Sequence, residues 1–217
     1  RHGFDASKRR VLDPFRLIEM GTDRCFDRSA AISHGLRGFL VDMGIGRPGR
    51  MDVIPYGFSF ADVAYNEPKP EYRRGSPQLV IVGRLVAVKQ HALALDVVNE
   101  LRREFPSINL AIVGAGPEEG ALRSRSQSLG LDGHVEFHGF RRDAHDFLRA
   151  SDVALVTSRA EGFGAVVLEA WHNRVPVVSF DVAAPHEMIS HGAGGYLARP
   201  FEAAHMAALV ADLLRAP

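Results

Sequence analysis

The 217-residue chain contains a single cysteine, Cys25. One thiol excludes an internal disulfide framework and fits a reducing compartment, so a cytoplasmic setting is expected. No apolar run approaches the roughly 18 residues that a membrane-spanning helix needs, and no secretory leader pattern is visible. Net charge is missing too: 26 Lys and Arg balance 26 Asp and Glu. A neutral chain has no global field to draw in nucleic acid or acidic partners. The imbalance is local, with ten Lys/Arg against six Asp/Glu in the first fifty residues. A solvated surface and a peripheral contact with an anionic membrane at its inner face are both open readings of that excess. Neither a repeat at solenoid period nor a Ser-His-Asp order nor a nucleophile elbow occurs. No Asp-x-Asp element for a metal is present, and no metal is expected. An initiator methionine is absent as well, and the expectation is a piece of a longer protein.

What is present is an ordinary globular composition, 46% hydrophobic and 24% charged, arranged in a repeating order. From about residue 77, short apolar runs alternate with helical patterns. Strands are expected at 78–83, 108–114, 134–139, 153–158 and 175–180. Helices are expected at 89–105, after Pro117, near 142–150, around Glu169, near 185–190 and from Phe201. Continuous apolar strands between helices predict an α/β fold: a Rossmann-like parallel sheet with helices on both faces. Residues 59–76, with Pro68 and Pro70 in an aperiodic charged stretch, read as a linker. Before it lie a helix around 12–27, a strand at 29–33, a helix at 34–43 and a strand at 51–55. These are too few for a core of their own. Residues 1–58 therefore read as the end of an incomplete earlier domain, and residues 77–217 as the second domain.

Open parallel sheets bind ligands beyond the carboxyl ends of their strands, and the chemistry-bearing residues fall there. Gly83, Arg84 and Lys89 follow the strand at 78–83. They suit a diphosphate near a helix start or are two solvated surface cations. "GAGP" (114–117) lacks the spacing of a dinucleotide fingerprint and reads as a tight structural turn. His134, Glu136 and His138 alternate on one strand face, either as its wetter side or as a metal site. "HEMISH" (186–191) spaces its histidines five apart, about 140° around a helix, too far to grip one ion. Glu161 stands in the loop after the strand at 153–158. Glu169 sits two turns into a helix whose other residues are apolar, so it is expected to be buried and to need a partner or a ligand. A ligand across that helix start could accept from its amides and donate hydroxyls to both carboxylates, as sugars do.

Together these segments resemble the retaining glycosyltransferases of family 4, of the GT-B fold. Glu161 and Glu169 match the signature of a glutamate, seven residues and a second glutamate. Its companions are "VIPYG" (53–57), "VGRLVAVK" (82–89), "IVGAGP" (112–117), "VEFHGF" (135–140) and "APHEMISHGAGGYL" (184–197). Each is weak alone, and six in family order are specific. Tyr56 replaces the usual asparagine, and Gln90 replaces the glycine that often follows the lysine.

The resemblance implies transfer from a nucleoside-diphosphate sugar (UDP- or GDP-sugar) to a glycan or lipid-linked acceptor, as in polysaccharide or glycolipid synthesis. The nucleotide-sugar is a substrate and no separate cofactor is implied. Arg84 and Lys89 would hold the diphosphate. Glu161 would bind the donor sugar, with the amides of Gly162, Phe163, Gly164 and Ala165 nearby, and Glu169 the ribose. The segment Gly139, Phe140 and Arg141 would lie against the base. "RHGF" (1–4) resembles the active-site His-Gly segment of some relatives, which would make His2 catalytic; a frayed terminus is the other reading. A phosphorylase, a sugar-nucleotide epimerase and a non-catalytic nucleotide-binding module remain alternatives.

Overall fold

The computed structural model describes residues 21, 23, 25–55, 57 and 70–215. Two parallel strands, β1 (Ser29–Ala31) and β2 (Met51–Val53), flank helix α1 (His34–Asp42). The rest is one sheet of six parallel strands: β3 (Gln78–Val82), β4 (Asn109–Val113), β5 (Val135–Gly139), β6 (Val153–Val156), β7 (Val177–Phe180) and β8 (Gly195–Ala198). Their order across the sheet is β5-β4-β3-β6-β7-β8. Helices α2 (His91–Leu101), α3 (Glu119–Ser128), α4 (Ala144–Arg149), α5 (Ala165–His172), α6 (Ala183–Met188) and α7 (Ala203–Arg215) connect or follow them.

Alternation along the strands divides the core in two. Leu79, Ile81, Ile112, Leu155 and Val178 face α2 and α7, where Leu95, Val98, Met206 and Val210 meet them. Val80, Ala111, Val113, Ala154 and Val177 face α4 and α5, packing on Phe147, Val167 and Ala170. Residues one apart on a strand point to opposite faces, so continuous apolar strands demand a helical layer on each side. The expected doubly covered α/β sheet is what the chain forms.

Two local expectations need correction. The helix expected from residue 89 begins at His91, because a tight turn at Ala87–Lys89 ends on Gln90 in the left-handed region, φ 49°. That break leaves Lys89 at the sheet end instead of winding it into the helix. Strand β8 was not foreseen: its four residues follow a glycine-rich turn too short to show a period. Most of the expected helix at 12–27 and the greater part of the linker at 59–76 fall outside the described residues. Of that segment, Pro70–Tyr72 forms a single tight turn, and Arg73 binds Asp152 at 2.7 Å.

Candidate functional site

Strand order reverses at the neighbouring pair β3 and β6, so the loops leaving their carboxyl ends diverge around a crevice. That crevice is where open α/β sheets place ligands. On the β3 side, the Lys89 carbonyl accepts from the buried Thr157 hydroxyl at 2.8 Å, and the Val88 carbonyl from the Arg159 amide at 2.8 Å. Lys89 Nζ then reaches Glu161 Oε1 at 2.5 Å, and the Ser158 hydroxyl donates to the same oxygen at 2.6 Å. The side chains of Lys89 and Glu161 are only 23% and 11% exposed. Two residues that the sequence separates by 72 positions are thus an ion pair. Arg84 is exposed on the same β3 loop. The site therefore offers a cation fit for phosphate and a carboxylate fit for hydroxyls, already in contact.

The "GAGP" turn backs this arrangement. Leu85 donates to the Ala115 carbonyl at 3.0 Å and accepts from Glu118 N at 3.1 Å. A Cβ on Gly116 would lie 2.3 Å from the Leu85 carbonyl oxygen, so only glycine permits that approach. The segment is a structural turn, as its sequence suggested. It supports the Gly83–Leu85 backbone from behind.

Gly162, Phe163 and Gly164 lead into α5. The amides of Gly164, Ala165 and Val166 have no acceptor among the described residues. They stand at the positive end of an eight-residue helix, which favours anionic groups. Glu169 departs from expectation. In α5 only Val167 and Ala170 are buried, and Glu169 is half-buried on the flank. Its apolar sequence neighbours overstated its burial, because the helix has one face on the sheet and one toward the crevice. No side-chain partner of Glu169 occurs among the described residues, so its carboxylate is available to a ligand without desolvation having forced the issue.

At the β5 end, Phe140 is 75% exposed. Arg141 is committed to Asp143 through two bonds, at 2.8 and 2.6 Å, and Tyr72 donates its hydroxyl to Asp143 at 2.8 Å. The Arg141 guanidinium, followed by the Tyr72 hydroxyl, holds the Asp143 carboxyl well below the usual carboxylate range. What this end presents to a flat ligand is the Phe140 ring and the backbone at Gly139, with the Arg141 charge already balanced.

The histidine strand is not a metal cradle. His134 Nδ1 lies 2.9 Å from the Ile108 carbonyl, and His138 stacks on Phe147 with centroids 4.5 Å apart. Among the described residues no three His, Cys, Asp or Glu side chains are placed to hold a metal ion, and no helix is long and apolar enough to cross a membrane. His2 lies outside the described residues.

Sequence reading missed the residues that hold the site in place. Thr157 and Ser158 end a run taken as strand, and nothing local marks their hydroxyls as bound to Lys89 and Glu161. Ser33 precedes α1 and its hydroxyl accepts from Leu36 N at 3.1 Å, a helix cap that the order Ser-His-Gly-Leu could have announced. Beside the Phe163 loop lies a cavity of about 610 Å³, lined by Ile32, Arg37, Met51, Phe163, Leu168 and Met188 among others.

Comparison with known proteins follows the same lines. A family model described as glycosyl transferases group 1 matches residues 65–217. The lipopolysaccharide core biosynthesis glycosyltransferase LpsE of Rhizobium meliloti is 31% identical over 135 residues, 62% of this chain and 38% of its own length. The UDP-N-acetylglucosamine–peptide N-acetylglucosaminyltransferase GtfA subunit of Streptococcus gordonii is 28% identical over 67% of this chain and 28% of its own. The crystal structure of Anabaena HepE with UDP and glucose superposes with a TM-score of 0.82 at 24% identity, covering 95% of this chain and 60% of that one. The chain thus spans less than two thirds of the length of each of these proteins, and its architecture is of the GT-B type.

Proposed function

The chain belongs to the glycosyl transferases group 1, and from that premise we propose that it supplies the donor-binding half of a retaining, family 4 glycosyltransferase. The reaction moves a sugar from a nucleoside-diphosphate sugar to a glycan or lipid-linked acceptor during polysaccharide or glycolipid synthesis. The observation that carries this reading is the Lys89–Glu161 pair beside the unoccupied amides of α5. A phosphate and a sugar hydroxyl are the two groups such a pair can receive together.

In this reading the base lies on Phe140 and the Gly139 backbone, and Glu169 accepts from the ribose hydroxyls. Arg84 and Lys89 face the diphosphate. When the donor binds, Lys89 exchanges part of its contact with Glu161 for a phosphate oxygen, and Glu161 turns its acceptor capacity to the sugar. Bond cleavage at the anomeric carbon leaves negative charge growing on the departing phosphate. Arg84, Lys89 and the α5 amides stabilise that charge more in the transition state than in the ground state, which is the condition for rate acceleration. The acceptor hydroxyl attacks from the same face, and its proton passes to the leaving phosphate. Glu161 does not act as a nucleophile here. The positive groups supply the role a metal would otherwise fill.

Support for a nucleotide-sugar donor comes from HepE, whose crystal holds UDP and glucose. The test is calorimetric titration of the protein with UDP and GDP, followed by turnover of the matching sugars with and without chelator. Binding of one nucleotide and chelator-resistant sugar transfer are expected. Phosphate-dependent product, or epimerised donor without transfer, would replace this reading with one of the other chemistries of the fold. Activity lost to chelator and restored by manganese would overturn the metal-free mechanism.

A further inference from the structure

The β1–α1–β2 unit meets the donor side at the Gly162 loop, through Ser33, and at α6, through Glu187 and Ala183; none of these contacts belongs to the chemistry above. The Ser33 side chain, in a residue only 5% exposed, donates to the Gly162 carbonyl at 2.7 Å across 129 residues of sequence while it also caps α1. From α6, Glu187 receives the first two amides of α1: His34 N at 2.9 Å and Gly35 N at 2.5 Å. Between these bonds the two helices come so close that a Cβ on Gly35 would lie 2.9 Å from Ala183 Cβ.

We propose that Ser33 and Glu187 form a two-point latch that sets the orientation of the Gly162–Gly164 loop, making both of them positioning residues for transfer. The physical link is the peptide bond between Gly162 and Phe163. A trans peptide carries its carbonyl and its N–H on opposite sides. Anchoring the Gly162 carbonyl toward Ser33 therefore fixes the plane of that peptide, and with it the course of the backbone through Phe163 into α5. Glu187 complements the arrangement. A carboxylate at a helix N-terminus satisfies otherwise orphaned amides and is favoured by the helix dipole, so it keeps α1 seated and Ser33 in reach. If the latch opens, Gly162 and Gly164 leave the loop free to sample many backbone states, and the amides at the start of α5 lose their fixed aim.

This inference rests on the transferase reading for its kinetic arm, whereas its structural arm stands alone. Hydrogen exchange is measured on the full-length protein as wild type, Ser33→Ala, Glu187→Ala, the double variant and Ser33→Thr, which keeps the hydroxyl. The Val167 amide, which donates to the Gly164 carbonyl at 2.9 Å, and the other amides of the first α5 turn that follow it are expected to exchange about tenfold faster in either single variant. The double variant should be no faster than the worse single one, Ser33→Thr should match wild type, and strands β3, β4 and β6 should not change. Gly35→Ala, which wedges the helices apart, reports the same opening should Ser33→Ala fold poorly. In turnover, Ser33→Ala and Glu187→Ala should lower kcat about 10- to 100-fold with a smaller change in donor KM. Unchanged exchange at Val167 and the first turn of α5, or acceleration spread evenly over the domain, overturns the latch. The expected exchange pattern in a protein that transfers no sugar leaves the latch standing and removes the transferase reading instead.

Discussion

Acidification should destabilise this protein well above the range where carboxylates titrate, and His91 is the reason. It is the first residue of α2 and 1% exposed, and among the described residues neither buried ring nitrogen has a hydrogen-bond partner. Burial, followed by the charge of Lys89, lowers its pKa from 6.5 to about 4. The unfolded chain takes up a proton as pH falls through 6.5, while the folded chain refuses it until about pH 4. Protons therefore favour the unfolded state throughout that window. The stability present above pH 6.5 is lost progressively as pH falls, and the loss levels off near pH 4. At about 1.4 kcal/mol per pKa unit, the whole effect amounts to about 3 kcal/mol, a large fraction of a typical domain's stability. Denaturant unfolding of wild type and His91→Phe at pH 7.5, 6.5, 5.5 and 4.5 isolates it, because groups common to both proteins cancel in the difference. Phenylalanine fills the site without a group that needs a partner. The variant should gain on wild type by about 2–3 kcal/mol between the highest and lowest pH. A stability difference that stays constant across the series would refute the reasoning. So would an imidazole titrating near 6.5 in the folded protein by NMR.

Three further outcomes follow from the site. Glu169→Gln should weaken nucleotide binding by about 1.5–3 kcal/mol, the range for a hydrogen bond to a charged group, with the melting temperature unchanged; equal affinity in calorimetry would remove Glu169 from the site. Arg84→Ala and Lys89→Ala should each lower kcat about 100-fold or more, as loss of one charge-stabilising donor does, and steady-state kinetics with wild-type turnover in either would remove that residue from the charge-stabilising set. Gln90→Gly should raise stability by about 1 kcal/mol, because a left-handed conformation costs a side-chain-bearing residue about that much. A lower denaturation midpoint would mean that the Gln90 side chain contributes more than its backbone costs.

The site was partly readable before any fold was known. Gly83, Arg84 and Lys89 could be placed after one apolar strand, and Glu161 after another, because ligands gather at the carboxyl ends of parallel strands. Their contact could not be read. The Lys89–Glu161 pair forms only because β3 and β6 are sheet neighbours, although β4 and β5 intervene in the chain. Glu169 shows the opposite failure. Its flanking residues are apolar, yet a helix lying on a sheet buries one face, and composition alone does not say which residue faces outward.

Local pattern announced most of the elements of this protein, though not β8 or the break at Gln90. The apolar runs at 78–83 and 108–114, bounded by helical patterns, were read as buried strands and form β3 and β4, because periodicity acts over a few residues. Tertiary structure alone decided that Ser33 meets Gly162, that Glu187 meets the start of α1, and that the His91 ring is buried with no hydrogen-bond partner among the described residues. Those outcomes depend on which elements pack side by side. A residue's own neighbours in sequence carry no information about groups that arrive from more than a hundred residues away.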